Sequence, residues 1–201
     1  IYIVTGYKKE YYEKLSKKYK NVITINNSTY SETGSFGSLL KLSKLIKNPF
    51  ILLESDLLYQ EKILKELIDD KRENIIATSD FTNSGDEVYV KAVNFLLKNM
   101  SKSKKLIGHD STEFIGISKI SINLFNYLVS NYSDEILKEY EELLVKSTKD
   151  NKIYVKKLDK IAWCEIDTLS HLKRAKEIIY PLLQNENKKE YPAKSRTRNN
   201  Y

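Results

Sequence analysis

Acidic side chains stand directly after two apolar, strand-like runs, where their type and spacing could bind a divalent cation. Asp56 follows Phe50-Ile51-Leu52-Leu53, and Glu165 and Asp167 lie at alternate positions at the end of a later run. Ligands of open α/β sheets bind at the carboxyl ends of strands, and alternation sends Glu165 and Asp167 to one face. Two or three converging carboxylates favour a hard cation such as Mg²⁺. The spacing leaves an alternative open, in which Asp56 caps a helix and the later pair is solvated.

A polar loop, Thr33-Gly34-Ser35-Phe36-Gly37-Ser38, precedes an apolar stripe at helical spacing that ends at Ile46. This pattern predicts a helix capped by Ser35 or Ser38. Backbone amides at a helix N-terminus, which glycines allow a ligand to approach closely, can bind a base edge or a phosphate. The loop matches neither the P-loop pattern nor the dinucleotide-binding pattern. It is therefore a weak nucleotide signal when taken alone.

Two further features could recognise a cationic ligand. The segment Ser84-Gly85-Asp86-Glu87 either forms a hairpin turn or presents acidic groups to a cation. Trp163 stands two residues before Glu165, so alternation places its ring on the side of the carboxylates, where it suits an ammonium group. A tryptophan in the core is the commoner arrangement.

His171 lies among basic residues and is interpreted as a surface residue, so no nucleophile with a histidine base can be argued.

The elements that position these residues alternate in type. Strand-like runs at residues 1–5, 22–25, 50–53 and 75–78 are separated by three amphipathic helical stretches. This alternation predicts an α/β layered sheet with crossover helices, and the uninterrupted apolar run at 50–53 predicts a central strand covered on both faces. After residue 80 the pattern becomes mixed β with helices, and a closing helix is expected over 172–183, with Pro181 bending or ending its last turn.

Composition limits the class of protein. The 201 residues, 41% of them hydrophobic, predict one domain over 1–184 and a disordered basic tail over 185–201. The net charge is +7, of which the last fourteen residues carry +4, so the nearly balanced body argues against nucleic-acid binding. The apolar runs are too short for a membrane span, and one cysteine excludes an internal disulfide and thiolate metal modules. We expect a cytoplasmic protein.

Five segments, taken in chain order, resemble the small bacterial nucleotidyltransferases, and more narrowly the cytidylyltransferases that activate phosphocholine or 2-aminoethylphosphonate with CTP. The resemblance covers about residues 1–183, and its specific part is the aspartate after the central strand together with the late Trp-x-Glu-x-Asp. The segments are Ile3-Val4-Thr5-Gly6-Tyr7-Lys8, Leu52-Leu53-Glu54-Ser55-Asp56-Leu57-Leu58-Tyr59, Ser84-Gly85-Asp86-Glu87-Val88-Tyr89-Val90, Glu113-Phe114-Ile115-Gly116-Ile117-Ser118-Lys119 and Trp163-Cys164-Glu165-Ile166-Asp167-Thr168.

The resemblance implies a three-layer nucleotide-diphospho-sugar transferase-like fold with a mixed, mostly parallel central sheet. It implies that catalytic Asp56 and Asp167 hold Mg²⁺ with the help of Glu165, and that CTP transfers CMP to the acceptor with release of pyrophosphate. The nucleotide-binding residues it implies lie in the polar loop, namely Thr33, Gly34, Ser35 and Ser38.

The resemblance also implies a pocket for a small zwitterionic phosphonate or phosphate ester. Its candidate residues are Asp86, Glu113, Tyr140, Glu141 and Trp163. The choline enzymes carry an aromatic residue near position 85, where this chain has Ser84-Gly85-Asp86. A carboxylate there favours a primary ammonium, which donates hydrogen bonds, so we expect 2-aminoethylphosphonate rather than phosphocholine.

One departure from the family concerns the N-terminus. The family begins with a strand, a glycine-rich loop and a lysine that bind the triphosphate, and we expect that part to precede Ile1, beside the strand at residues 1–5. The alternative function is a truncated, non-catalytic module that binds a nucleotide or a partner. A glycosyltransferase of similar layered fold is a third possibility, but Glu54-Ser55-Asp56 is a poor substitute for its Asp-x-Asp.

Overall fold

The computed structural model of the chain describes residues 1–190, with side chains described as far as Asn185. Strands and helices alternate in its first part, and strand pairs joined by helices make up the rest. The elements are β1 (Tyr2–Thr5), α1 (Glu10–Lys18), β2 (Ile23–Asn26), α2 (Ser35–Leu40), β3 (Phe50–Leu53), β4 (Leu57–Tyr59), α3 (Glu61–Ile68), β5 (Ile75–Ser79), β6 (Tyr89–Val93), β7 (Leu96–Ser101), α4 (Lys104–Ile107), β8 (Thr112–Ile120), α5 (Ile122–Tyr132), α6 (Tyr140–Ser147), β9 (Tyr154–Lys157), β10 (Trp163–Glu165), α7 (Leu169–Arg174) and α8 (Tyr180–Glu190).

The central sheet has six strands in the order β3-β8-β5-β9-β7-β6, and β6 also pairs with β8. Within the described part of the chain, β5 and β9 form its one parallel pair, and the other pairs are antiparallel. The predicted mixed sheet is confirmed, but the expectation that it is mostly parallel is wrong. The difference comes largely from β8, which runs antiparallel to each of its partners β3, β5 and β6.

Strand β3 is covered on both faces, as predicted from its unbroken apolar sequence. Phe50 and Leu52 pack against the larger hydrophobic cluster, which takes residues from α2, α5 and α6, and Ile51 packs against a second cluster built around α3. The expectation that β3 lies in the middle of a parallel sheet is wrong, because it is the end strand of the six and its neighbour β8 is antiparallel. Coverage by helices on both faces makes a strand uniformly apolar whatever its place in the sheet.

A separate two-stranded parallel sheet is formed by β1 and β2. Ile1 and Thr5 accept hydrogen bonds from Ile23 and Asn27 of the β2 side, so the alternation of the ladder turns the backbone groups of Tyr2 and Val4 the other way. In residues 1–190 this outer edge of β1 has no strand partner, and it lines the main cleft together with the end of β3.

Helix α1 leaves most of its apolar stripe in solvent. All of its nine residues remain at least partly exposed; Tyr12, Glu13 and Ser16 are half-buried, whereas Tyr11 and Leu15 are exposed. Tyr12 lines the main cleft, so one aromatic side chain of the helix faces the protein. The sequence predicted an amphipathic helix here, and the structure fully buries no residue of it.

Helix α2 and the last helical segment also differ from expectation. The stripe ending at Ile46 suggested a longer helix capped by a serine, but α2 ends at Leu40 and Gly34 stands at its N-cap. A π-helical segment, Ala175–Ile179, joins α7 to α8, so the chain remains helical through Pro181. Residues 185–190, expected in the disordered tail, belong to α8, while residues 191–201 lie outside the described part. No helix of residues 1–190 is long and apolar enough to cross a membrane.

Candidate active site

Two segments more than a hundred residues apart meet at the ends of β4 and β10. These strands pair antiparallel, with Leu57 opposite Glu165, and the Ile166 N–H donates to the Asp56 carbonyl at 3.0 Å. The backbone on either side of this bond carries Asp56 and Asp167. The structure therefore brings together the two acidic segments that the sequence analysis singled out.

Three carboxylates form the inner part of this site. Glu54, Asp56 and Glu165 each offer an oxygen within 4.8 Å of the others. One of them, Asp56 Oδ1, is buried and lacks a hydrogen-bond partner among the described residues. An unpaired buried oxygen beside two further carboxylates is a donor set that fits a hard divalent cation.

Two of the inner carboxyl groups, those of Glu54 and Glu165, have raised pKa values. Burial raises the pKa of Glu54 from 4.5 to about 8; a hydrogen bond from Tyr140 opposes the shift, and nearby carboxylates add to it. Burial, followed by repulsion from Asp167 and Asp56, raises the pKa of Glu165 to about 7. A cation between these groups would remove the repulsion and favour their ionised forms.

Asp167 belongs to a second group with Asp86 and His171, whose ligand atoms also lie within 4.8 Å of one another. Partial burial and a proton shared with Asp86 raise the pKa of Asp167. The Asp167 N–H donates to His171 Nδ1 at 3.4 Å, and Thr168 caps α7 by accepting from the His171 N–H. The first turn of α7 thus folds back onto the end of β10, so His171 is a site neighbour with a side chain 12% exposed rather than the surface residue we expected.

The cleft around the inner carboxylates has a volume of about 690 Å³ and a strongly acidic lining. Among the described residues that line it, one basic side chain, Lys102, faces eight acidic ones. Such a lining attracts cations and repels an uncompensated triphosphate. The acidic residues are Glu54, Asp56, Asp86, Glu87, Glu113, Glu139, Glu141 and Glu165.

The backbone amides of the predicted nucleotide loop are engaged elsewhere. The N–H groups of Gly34, Ser35 and Phe36 donate, at 2.9 to 3.2 Å, to acceptors in residues 136–139 that connect α5 to α6. A Cβ on Gly34 would lie 2.4 Å from a carbonyl oxygen of that connection, so the glycine serves close packing. The expectation that these amides are free for a base edge or a phosphate is wrong.

The four residues of this loop that were predicted to bind the nucleotide divide into two pairs. Ser35 and Ser38 line the cleft, whereas Thr33 and Gly34 are outside its lining. Asn27, fully buried, donates to both the Thr33 and Ser38 hydroxyls at 3.0 and 3.1 Å. Ser35 and Ser38 are therefore the members of the predicted set that remain placed to contact a ligand.

Four of the five predicted acceptor residues line the cleft, namely Asp86, Glu113, Tyr140 and Glu141. Tyr140 is buried, and its hydroxyl donates to Glu54 Oε1 at 2.9 Å. Glu141 lines the cleft, and burial raises its pKa. Glu113 is buried and accepts from the N–H and hydroxyl of Thr82, so both of its oxygens hold the loop that leads to Asp86.

Trp163 lies away from the cleft lining. It is 5% exposed, packs in the hydrophobic cluster around α3, and donates from Nε1 to Ser79 Oγ at 2.9 Å. The interpretation of its ring as a wall for an ammonium group is wrong. The commoner core arrangement applies because the face of β10 at Trp163 is covered, whereas the same face opens into the cleft at Glu165.

Glu54 and Lys102 line the site but were not selected from the sequence. Glu54 could have been found, since alternation from Asp56 places it on the same side at the end of the same strand. Its carboxylate packs against Gly116, which has φ +79°, and a Cβ there would lie 2.6 Å from Glu54 Oε2. Lys102 is one of many lysines in the sequence and carried no signal.

Solved structures similar to this chain are nucleotidyltransferases. The inositol-1-phosphate CTP transferase from T. maritima matches with a TM-score of 0.75 and 16% identity over 92% of this chain and 75% of that chain. The CTP:phosphocholine cytidylyltransferase from Streptococcus pneumoniae has a TM-score of 0.70 and 20% identity over 89% and 77%. A UDP-glucose pyrophosphorylase has a TM-score of 0.70 and 16% identity over 90% and 80%. No protein-family model matches the chain.

At these identities the likeness establishes the fold. The chain has an α/β nucleotidyltransferase-like fold with a mixed central sheet, as the sequence resemblance implied.

Proposed function

We propose that the cleft transfers CMP from CTP to a small amino-alkyl phosphonate or phosphate and releases pyrophosphate. The observation that carries this proposal is the meeting of Asp56 with Glu165 and Asp167 at the ends of β4 and β10. The fold supports nucleotidyl transfer, and two of the similar structures are named for the use of CTP.

The carboxylates fit Mg²⁺. Asp56 and Glu165, with Glu54 beside them, supply the inner oxygens, and Asp167 stands at the adjoining strand end. When bound, Mg²⁺ compensates the negative charge of the phosphates and the charge that develops on pyrophosphate as it leaves. The acidic lining favours this compensation, because the triphosphate would otherwise meet a cleft with eight acidic residues and one lysine among those described.

The reaction needs no protein nucleophile. An oxygen of the acceptor phosphonate or phosphate, ionised at neutral pH, attacks the α-phosphorus of CTP, and the bond from that phosphorus to the bridging oxygen breaks. Both electrons of that bond leave with pyrophosphate. The chain's own residues then have to bind and orient the two reactants.

The distribution of charge favours a zwitterionic acceptor. Lys102 provides an ammonium group for the acceptor's phosphonate, and Glu141 and Asp86 provide carboxylates for its amine. A primary ammonium can donate hydrogen bonds to these carboxylates, whereas a trimethylammonium cannot. We therefore propose 2-aminoethylphosphonate as the preferred acceptor over phosphocholine.

Pyrophosphate release from CTP and Mg²⁺ with each acceptor tests the proposal. We expect turnover with 2-aminoethylphosphonate to exceed that with phosphocholine, and a strong preference for phosphocholine would contradict the acceptor assignment. Asp56→Asn should lower turnover at least about a hundredfold, since it removes a cation ligand. Asp134→Asn, an exposed residue outside the cleft lining, is the matched control and should leave turnover unchanged.

A non-catalytic binding module is the second candidate. It is favoured by the occupied amides of the loop at Gly34, Ser35 and Phe36, and by the single lysine of the cleft. Calorimetric titration with CTP separates the two candidates. Mg²⁺-dependent CTP binding without pyrophosphate release would support a nucleotide-binding module, and the absence of CTP binding would contradict the proposed transfer.

A further inference from the structure

An exposed stripe of aromatic and apolar side chains runs along α1. Tyr7, Tyr11, Leu15 and Tyr19, which we call the tyrosine face, follow one another at intervals of four residues. Their exposed fractions are 68%, 60%, 39% and 46%. Tyr11 and Leu15 lie on α1, and Tyr7 and Tyr19 flank its two ends. Several exposed large side chains at helical spacing are typical of a surface that contacts another surface.

The orientation of α1 leaves part of its apolar stripe in solvent. The helix half-buries Tyr12, which lines the main cleft, while it presents Tyr11 and Leu15 to solvent. Within residues 1–190 nothing covers the tyrosine face. An apolar stripe exposed to water is energetically unfavourable. Burial of the stripe against a second surface would explain why it faces outward.

Lysines accompany the aromatic rings. The ammonium groups of Lys8, Lys14 and Lys18 lie 5.2, 5.5 and 5.0 Å from the ring centroids of Tyr7, Tyr11 and Tyr19. Residues 7–20 contain six lysines and two glutamates, a net charge of +4. The face therefore suits an anionic surface that also accepts aromatic and aliphatic groups.

We propose that the tyrosine face binds the surface of a bilayer containing anionic lipids. Tyrosine rings lie favourably at the level of lipid headgroups, Leu15 enters the acyl boundary, and the lysines meet lipid phosphates. The face is a convex helix surface, and residues 7–20 contain no Arg, Asn or Gln to read base edges, so it fits a bilayer better than a nucleic acid. This inference is independent of the reaction in the cleft.

Co-sedimentation of the full chain with lipid vesicles tests the proposal. The protein should bind vesicles of phosphatidylcholine mixed with phosphatidylglycerol, bind phosphatidylcholine alone much more weakly, and dissociate as salt is raised. Lys14→Gln with Lys18→Gln should weaken the partition coefficient about thirtyfold, from the loss of two lysines at the surface. Lys62→Gln with Lys65→Gln, the same charge change on exposed positions of α3, is the matched control and should have little effect.

Removal of apolar groups distinguishes insertion from simple charge attraction. Tyr11→Ser with Leu15→Ser should weaken vesicle binding at least about tenfold with the charge unchanged. Circular dichroism checks that the variants fold. The proposal is overturned if both α1 variants bind vesicles as the parent does, because the contact would then lie in another basic segment. It is also overturned if neutral vesicles bind equally well or if the protein binds DNA in preference to vesicles. Loss of self-association in the variants would instead assign the tyrosine face to a second copy of the chain.

Discussion

Neutralising Glu54 should change the pH dependence of folding. The substitution Glu54→Gln keeps an oxygen that can accept the Tyr140 hydroxyl and removes the ionisation whose pKa is raised from 4.5 to about 8. Between these two pH values the folded wild-type protein retains a proton that the unfolded chain has lost. Its free energy of unfolding therefore falls as pH rises through this window, in the absence of a bound cation.

The size of the effect follows from the shift. One pKa unit corresponds to about 1.4 kcal/mol. A carboxyl group with a pKa of about 8 in the folded protein and 4.5 in the unfolded chain therefore lowers the free energy of unfolding by about 1 kcal/mol at pH 5 and by about 3 kcal/mol at pH 7. The wild type should then lose about 2–3 kcal/mol between these pH values through Glu54. Glu54→Gln should remove this loss and be the more stable protein at pH 7.

Urea unfolding of both proteins at pH 5 and pH 7, with chelator and with Mg²⁺, measures these quantities. With Mg²⁺ the wild type should regain stability at pH 7, since a cation bound among the carboxylates favours their ionised forms, and the variant should regain less. Parallel pH profiles for the two proteins in chelator would refute the assignment of Glu54 as a buried group with a raised pKa. If Mg²⁺ leaves the free energy of unfolding of the wild type unchanged, the assignment of the cation site is contradicted.

Five further substitutions have definite expected outcomes. Asp56→Asn and Asp167→Asn should each abolish Mg²⁺-dependent turnover without lowering the melting temperature; retained turnover in both would discredit the metal assignment. Gly116→Ala should cost about 2–4 kcal/mol in urea unfolding, from positive φ and from a Cβ forced against a carboxylate, and a neutral effect would contradict that packing. Trp163→Phe should destabilise the protein by about 1–3 kcal/mol and leave the ratio of the KM values for the two acceptors unchanged. A changed ratio would indicate that the ring contacts the acceptor. Lys102→Gln should raise the KM for the acceptor at least about tenfold with a smaller effect on kcat. An unchanged KM would contradict the assignment of Lys102 to the acceptor site.

Much of the architecture follows from local patterns in the sequence. The unbroken apolar run of β3 predicted a strand covered on both faces, because every side chain of such a strand must meet a hydrophobic layer. A carboxylate that follows such a strand must lie at its end, so local spacing alone is enough to place Asp56. The order of neighbouring strands was less predictable, since an apolar strand looks alike beside a parallel or an antiparallel partner.

The use of individual polar groups depended on long-range contacts. The amides of Gly34 and Ser35 look free in the sequence, but residues 136–139, a hundred positions later, occupy them. Trp163 and Glu165 share one face of β10 by alternation, yet one lies in the core and the other in the cleft, because that face is covered at one point and open two residues further on.

The short periods of local structure were enough to predict the strand-end carboxylates and the α/β class. The grouping of the carboxylates became visible only in the folded protein, where Glu54 joins Asp56 and Glu165 while Asp167 lies with Asp86 and His171. Burial and repulsion between charges depend on distances across the fold, and local spacing along the chain does not specify those distances.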